Sequence, residues 1–501
     1  MKPRAATPLP TPLAQRAVLA LYVTSFVVPV VLWAVQAERV FDVKIVWSSW
    51  ALLVLHTALL AAAGALLATL LGTVQALLLE LFGVSGRRFL RVLLLVPFVT
   101  PAAVLTTAWH AWLAGGVLGP LTSGPLALVL LSALQMAPVV AWLVTRHLHA
   151  LGAAEDAAVR LALPPWSQLR CVYLPAVRGV ALRGGMLIFL LLLPAREIAG
   201  YAGVETAGDR ILAAFTAGGG DLEGWTLVAT FACLALLVLP MLIRSLLLPM
   251  RPPLSAPRQS DPPLPGKWAT VLLWGWVASW LLPLVALTLL ASSAAASTAD
   301  VWGEGLLFES VRALLLAMLL TSAGWVLAAH VRVGVWLLLL APLVLPGSLP
   351  GLALTTGVQH WLPAAWTDTP LLISVAQFVR FVGVAALLGR VARDSVPQAE
   401  FEAALLLPRG GARTAILIRR AWPVLAACVC VCFALCLGEV ESTALLVPPG
   451  YVVPVIELHQ FLHFRHDAHA AQLATGLVGV VLLVAIVGMA ISGRRATPTK
   501  S

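Results

Sequence analysis

Glu439 and Glu441 in "LGEVES", and Glu197 beside Arg196 in "AREIAG", are carboxylates in an otherwise apolar neighbourhood. Carboxylate oxygens are hard ligands that suit hard cations. The three are therefore candidate pathway contacts, or else interface charges. Arg380 stands inside an apolar run, where a charge is costly in lipid. It is expected to face other protein or to snorkel to an interface, with an anion path as the other reading. His459, His463, His466 and His469 are spaced for one helix face, which fits either a metal site or a row of neutral interfacial histidines. Cys428, Cys432 and Cys436 also share a helix face and read as soft packing residues, a buried metal site being the alternative. No resident metal or cofactor is expected. The nucleotide-binding pattern G-x-x-x-x-G-K-[ST] is absent, and no His, Asp and Glu residues converge at membrane depth. No enzymatic centre is therefore expected.

The elements that must position these residues follow from composition. Hydrophobic residues make up 60% of the 501 and charged residues 11%, whereas a globular domain carries about 25% charged residues. Apolar runs of 18 or more residues are what a bilayer requires and a soluble core does not. The fold class is an all-α polytopic membrane protein, since the runs are too long and uniform for barrel strands. The net charge of +10 is not a nucleic-acid footprint, because Lys and Arg lie mostly between apolar runs. The partner implied by composition is the lipid bilayer, with no nucleic acid. The first apolar run lacks a small-residue cleavage site and reads as a retained helix.

Twelve spans are predicted, at 17–36, 49–73, 90–113, 125–145, 176–195 and 224–248, then 268–291, 308–329, 333–355, 370–390, 421–438 and 470–491. Pro97, Pro101, Pro342, Pro346 and Pro350 interrupt the third and ninth, which predicts kinks or broken helices. Lys2, Arg4, Arg16, the "GRR" at 86–88, Arg146, Arg160, Arg170, Arg251, Arg258, Lys267, Arg494 and Arg495 share one side. Glu205, Asp209, Asp221, Glu223, Asp300, Glu304 and Asp368 fall on the other. Basic segments stay inside, so both termini are expected in the cytoplasm. A proline-rich linker, 249–267, divides the chain into 1–248 and 268–501, each with four spans, a long basic inside segment and two spans. That order is a parallel duplication.

The inside segments are "DAAVRLALPPWSQLRCVYLP" (156–175) and "EAALLLPRGGARTAILIRRAWP" (402–423), 246 residues apart at their starts. In the second, Ser395 is the expected N-cap, and Glu400 and Glu402 suit the positive end of a helix dipole. Pro408, Gly410 and Gly411 then break the helix, and a second short helix is expected to end at Pro423. Two such segments at matching points of a duplication argue for docking elements facing a two-fold partner.

Both segments resemble the "EAA" loop of bacterial importer permeases, the membrane subunits of ATP-driven, binding-protein-dependent uptake systems. Asp156, Ala157 and Ala158 match its Glu-Ala-Ala opening, Ala162 stands at its glycine, and Leu174–Pro175 closes it. In the second copy Glu402, Ala403 and Ala404 match the opening and Pro423 the close. Its glycine, Gly410, falls two residues later than Glu402 would place it. "RFVGVAALLGRVARDSVPQAEFEAA" from Arg380 and "LGEVESTALLVPPG" from Leu437 are similar to stretches of fused, two-half ferric iron permeases.

The resemblance implies two tandem six-helix type I (MetI-like) importer bundles in the bacterial inner membrane. It implies a homodimer of cytoplasmic ATP-binding subunits that takes both loops, and a periplasmic or extracellular substrate-binding protein. Ferric iron leads as cargo, with thiamine, phosphonate or polyamine as alternatives. A secondary transporter would need an ionisable coupling residue near mid-membrane, and a membrane-embedded enzyme a convergent polar centre.

Overall fold

The computed structural model describes residues 12–37, 47–113, 119–149, 163–216, 228, 230, 239–240, 266–293, 299–328, 333–358, 363–396, 398–406, 411–463 and 467–493. Among these residues all regular structure is helical. Among the described residues nine helices are long and apolar enough to cross a membrane, and two sharply bent helix pairs bring the number to eleven if each is one span. The predicted sixth span, 224–248, lies almost wholly outside the described residues, as does the linker up to 265.

Before the linker the chain forms α1 (Pro12–Tyr22), a π-turn, α2 (Val28–Ala37), α3 (Trp47–Leu81), α4 (Arg87–Leu93), α5 (Val96–Val99), α6 (Ala102–Leu113) and α7 (Gly124–His149). Then come α8 (Pro165–Gln168), a π-turn (Leu169–Tyr173), α9 (Leu174–Leu192), α10 (Glu197–Ala202) and α11 (Ala207–Thr216). After the linker come α12 (Lys267–Ser293), α13 (Ala299–Leu327), α14 (Val333–Val344), α15 (Ser348–Leu352), a π-turn (Ala353–Val358), α16 (Ala364–Thr367) and α17 (Leu371–Asp394). The chain closes with α18 (Gln398–Leu406), α19 (Gly411–Leu437), α20 (Pro454–His463) and α21 (Asp467–Gly493).

The long helices are turned inside out relative to soluble ones. On α3, Leu52, Leu55, Leu59, Leu66, Leu70 and Val74 form an exposed apolar stripe, while Ala61, Ala65, Ala68 and Ala76 face inward. Lipid is as apolar as leucine, so helices associate through small side chains that let backbones approach. Gly324 on α13 and Gly72 on α3 mark two such close crossings. A Cβ at Gly324 would collide with the Ala385 carbonyl on α17, and one at Gly72 with the Ala137 carbonyl on α7. The triad α13, α17 and α19 repeats the triad α3, α7 and α9. Gly324→Leu is expected to force α13 and α17 apart and destabilise the protein by about 1–3 kcal/mol or more. A thermal unfolding midpoint in detergent equal to that of the parent would contradict this.

Both proline-interrupted spans break, as expected. α5 and α6 meet at 100°, and α14 and α15 at 92°. Pro101 accounts for the first: the residue before a proline is driven out of the helical region, and Thr100 is extended at φ −79, ψ 128. Its carbonyl, lost to the helix, accepts from Gln135 Nε2 at 3.2 Å.

The two parts of the chain interlock through their first spans. Tyr22 donates to the Leu338 carbonyl at 2.6 Å and Gln15 to the Val326 carbonyl at 3.5 Å. α2 also lies on the π-turn 353–358. In return α12 packs on α3, α4 and α6, and the Ser85 N–H donates to Thr270 Oγ1 at 3.3 Å.

Three local expectations change. Pro423 does not end a helix but sits inside α19, which runs unbroken from Gly411. Its missing N–H removes one donor near the exposed Arg419 and Arg420, where water can serve the carbonyl instead. Pro175 likewise lies within a continuous helical stretch, at the start of α9. The π-turn just before it widens the helix where the proline ring must fit. Ser395 is not an N-cap: it ends α17 with helical backbone angles, and its hydroxyl donates to the Ala392 carbonyl at 2.6 Å.

Candidate functional site

The four charged residues Glu197, Arg380, Glu439 and Glu441 converge at the end of the molecule away from α18. Arg380, on α17, does not snorkel. Its Nη1 lies 2.5 Å from Glu439 and its Nη2 3.0 Å from Glu441. Both carboxylates follow the end of α19, where the chain turns back and exposes backbone N–H groups. Glu439 accepts from the Ser442 and Thr443 amides at 2.9 and 3.0 Å and from their hydroxyls at 2.8 and 2.5 Å. Glu441 accepts from the Arg196 amide at 3.1 Å, and the Val440 amide donates to Glu197 at 3.4 Å. Carboxylates from opposite sides of the linker thus hold each other's backbone. Gly347, at the α14–α15 bend, lies directly on Glu441 and Arg380, and any Cβ there would collide with both.

A second layer extends the network. Gln377 donates to Thr443 Oγ1 and to the Cys436 carbonyl, both at 3.0 Å. Its Oε1 accepts from Arg312 Nη2 at 3.0 Å. Arg312 also reaches Glu309 at 2.8 Å and Ser374 at 3.0 Å. Tyr451 donates to Glu309 at 2.9 Å. Burial, and then the Glu309 charge, push the Tyr451 hydroxyl up, so it stays a donor at neutral pH. Three carboxylates no more than 3% exposed, Glu309, Glu439 and Glu441, are held by two arginines. Buried ions of this kind persist only when paired and fully hydrogen-bonded. The network is one-sided, because the α7 positions 248 residues before Gln377 and Arg380 are Val129 and Ser132.

Sequence reasoning missed Glu309, Arg312 and Gln377. The signal was present: Glu309 and Arg312 are one helical turn apart in an apolar span, where a lone charge is not tolerated.

Beside the network lies a cavity of about 220 Å3 lined by Arg196, Glu197, Tyr201, Asp209, Val440 and His459. His459 Nδ1 and the Tyr201 hydroxyl are 2.9 Å apart. Among the described residues no three His, Cys, Asp or Glu side chains are grouped to hold a metal ion. Charged and polar side chains thus reach the cavity without forming a chelating set among the described residues. His469 stacks near Phe461, with ring centroids 5.8 Å apart, while His466 and the His463 side chain lie outside the described residues. Cys428, Cys432 and Cys436 are buried and free. Cys428 Sγ points at the Leu388 carbonyl, 3.7 Å away.

At the opposite, basic end sits α18. Its Ala404 is buried against Ala392, Val396, Leu417, Ala421 and Leu425, and Arg420 pins Glu400 at 2.8 Å. Glu402 and Ala403 face outward, and Leu406 is 89% exposed. The three motif residues therefore split into two roles, with Ala404 anchoring the helix and Glu402 and Ala403 on its exposed face. Asp156, Ala157, Ala158, Ala162 and Gly410 lie outside the described residues. No protein-family model, curated protein or solved structure matches this chain.

Proposed function

We propose that this polytopic helical membrane protein is the translocation subunit of an ATP-driven, binding-protein-dependent importer. In this reading it lies in the bacterial inner membrane with both termini and α18 in the cytoplasm. The observation that carries the reading is α18 itself: a short helix with one alanine face anchored to the bundle and an exposed face of Glu402, Ala403 and Leu406. It stands between two spans at the basic end of the chain. A cytoplasmic ATPase dimer would grip this face and its counterpart at 156–162. Closure of the ATPase on ATP would rock the two sides of the chain together, and hydrolysis would reset them.

Ferric iron is the leading cargo and rests on the sequence resemblance. The cavity beside the network, lined in part by Glu197 and Asp209, suits a hard cation in transit. Thiamine, phosphonate and polyamine are the alternatives.

The buried charges favour one rival, a secondary transporter, because intramembrane ionisable groups are what coupled carriers use. Against it, Glu439 is saturated by Arg380 and four other donors, which holds it ionised rather than free to exchange a proton. Proteoliposomes decide between the two. The importer reading expects uptake only with the ATPase, ATP and a loaded binding protein all present. Uptake by this chain alone, driven by a pH gradient, would reject it.

A further inference from the structure

A further inter-side contact lies at the basic end, between residues 248 apart in sequence. Arg146, on the last turn of α7, meets Asp394, the last residue of α17, with Nη2 and Oδ2 2.6 Å apart. The same separation relates Ala137 and Ala385, the two carbonyls on which Gly72 and Gly324 pack. The ion pair therefore joins corresponding positions of the two triads.

Three features show that this contact is built to open. Its side chains are 26% and 43% exposed, so water can take over both charges and separation is cheap, unlike at the buried network. Each partner also has a fallback on its own helix: Arg390 Nε lies 3.6 Å from Asp394 Oδ1, and the Arg146 guanidinium lies 5.9 Å from the Trp142 ring centre. Parting therefore leaves neither charge stranded. Beside the pair is a cavity of about 250 Å3, lined by Trp142, Thr145 and Arg146 from one side and Val391, Asp394 and Ser395 from the other. The two sides do not fill the space between them there.

Asp394 also has a mechanical connection. α17 ends at Asp394 and α18 begins at Gln398. Ala392 and Val396 belong to the same small core as Ala404 of α18. A push on α18 is thus delivered directly to the Asp394 end of α17.

We propose that Arg146 and Asp394 form the latch of an inner gate, a weak ion pair between corresponding helix ends that closes the cytoplasmic mouth and parts when α18 moves. The proposal deepens the importer reading and depends on it for which face is inner and for what moves α18. The latch itself is tested without any ATPase. On a Cys171→Ser/Cys233→Ser background, which removes the thiol that is exposed among the described residues and the one outside them, Thr145→Cys places a thiol in the cavity. Inverted membrane vesicles bearing the full chain are treated with a charged, membrane-impermeant maleimide.

Slow labelling is expected with the latch intact. Arg146→Glu or Asp394→Asn should speed it about threefold to fivefold, as suits a weak exposed pair, and the double reversal Arg146→Glu/Asp394→Arg should bring it back to near the parent rate, as a double-mutant cycle requires. Each variant's thermal midpoint should stay near that of the parent, because the pair is weak. If Arg146→Glu fails to fold, Arg146→Gln takes its place. Folded single variants that label at the parent rate would overturn the latch, and so would a double reversal as open as the singles. Thr145→Cys that labels only from the opposite face would overturn its assignment to the inner mouth. Failure of ATP-driven uptake with the latch results intact would instead count against the importer reading alone.

Discussion

Arg380→Ala is expected to lower the stability of the protein by about 3–5 kcal/mol, the usual effect of removing one partner from a buried ion pair. The variant leaves Glu439 and Glu441 facing each other at no more than 3% exposure. Neither can turn to water, since Gly347 and the α14–α15 bend cover them. The damage should cross the linker, because Glu441 also holds the Arg196 amide and Glu197 the Val440 amide. Thermal unfolding in detergent, followed by loss of the monodisperse species, measures this. Arg380→Lys should be intermediate: one ammonium supplies the charge but cannot hold both carboxylates in a fixed fork. The triple variant Arg380→Met/Glu439→Gln/Glu441→Gln should recover part of the loss, since removing all the charges leaves none buried alone. An Arg380→Ala protein as stable as the parent would show that the network carries no structural weight.

The second large effect is expected at α18, and two adjacent alanines should respond in different ways. Ala403→Arg adds a long charged side chain to the exposed face beside Glu402 and Leu406. It should abolish ATP-driven uptake and co-purification of the ATPase while leaving the thermal midpoint unchanged. Surface substitutions away from packed features usually stay within about 0.5 kcal/mol. Ala404→Arg should lose uptake as well, but through the fold, because Leu417 and Ala421 occupy the space the side chain would need. Equal thermal losses for the two variants would contradict the assigned faces. Uptake and association that survive Ala403→Arg would contradict docking. A matching but milder effect is expected at Asp156–Ala158, whose match to the motif is more divergent.

Much of this arrangement is legible before any coordinates. Lipid imposes long apolar runs, and eight of the eleven spans and bent pairs among the described residues begin and end within four residues of their predicted places, because hydropathy sets them. The exceptions are α3, which runs on to Leu81, the helical stretch through Pro175, which starts at Trp166, and α19, where ten residues of basic helix precede the apolar run and Pro423 reads as a stop. In a helix end that water can reach, a proline costs one hydrogen bond but not the helix. The two bends were announced by Pro101 and Pro346.

The exchange of first spans could not be read in this way. An apolar run carries no address, and Tyr22 reaches Leu338 only because the folded halves bring them together. The charged site was half legible. Glu197, Arg380, Glu439 and Glu441 stand out as charges beside or within apolar runs, but their mutual pairing depends on how α10, α17 and the turn after α19 meet. Glu309 and Arg312 are hidden by forming their own pair near the start of α13, which makes the span look merely less hydrophobic. Ala403 and Ala404 are alike in sequence, and only the contacts of α18 separate a buried anchor from an exposed face.

The central claim is that the exposed face of α18 is the handle of a separate ATP-driven motor. A photo-crosslinking amino acid in place of Leu406, which is 89% exposed, tests it most directly in membranes of the host that makes this chain. The account predicts one principal adduct, formed on the cytoplasmic face with a polypeptide that carries G-x-x-x-x-G-K-[ST] and is labelled by azido-ATP, and lost in Ala403→Arg. Adducts with lipid alone, or with a periplasmic protein, would contradict it.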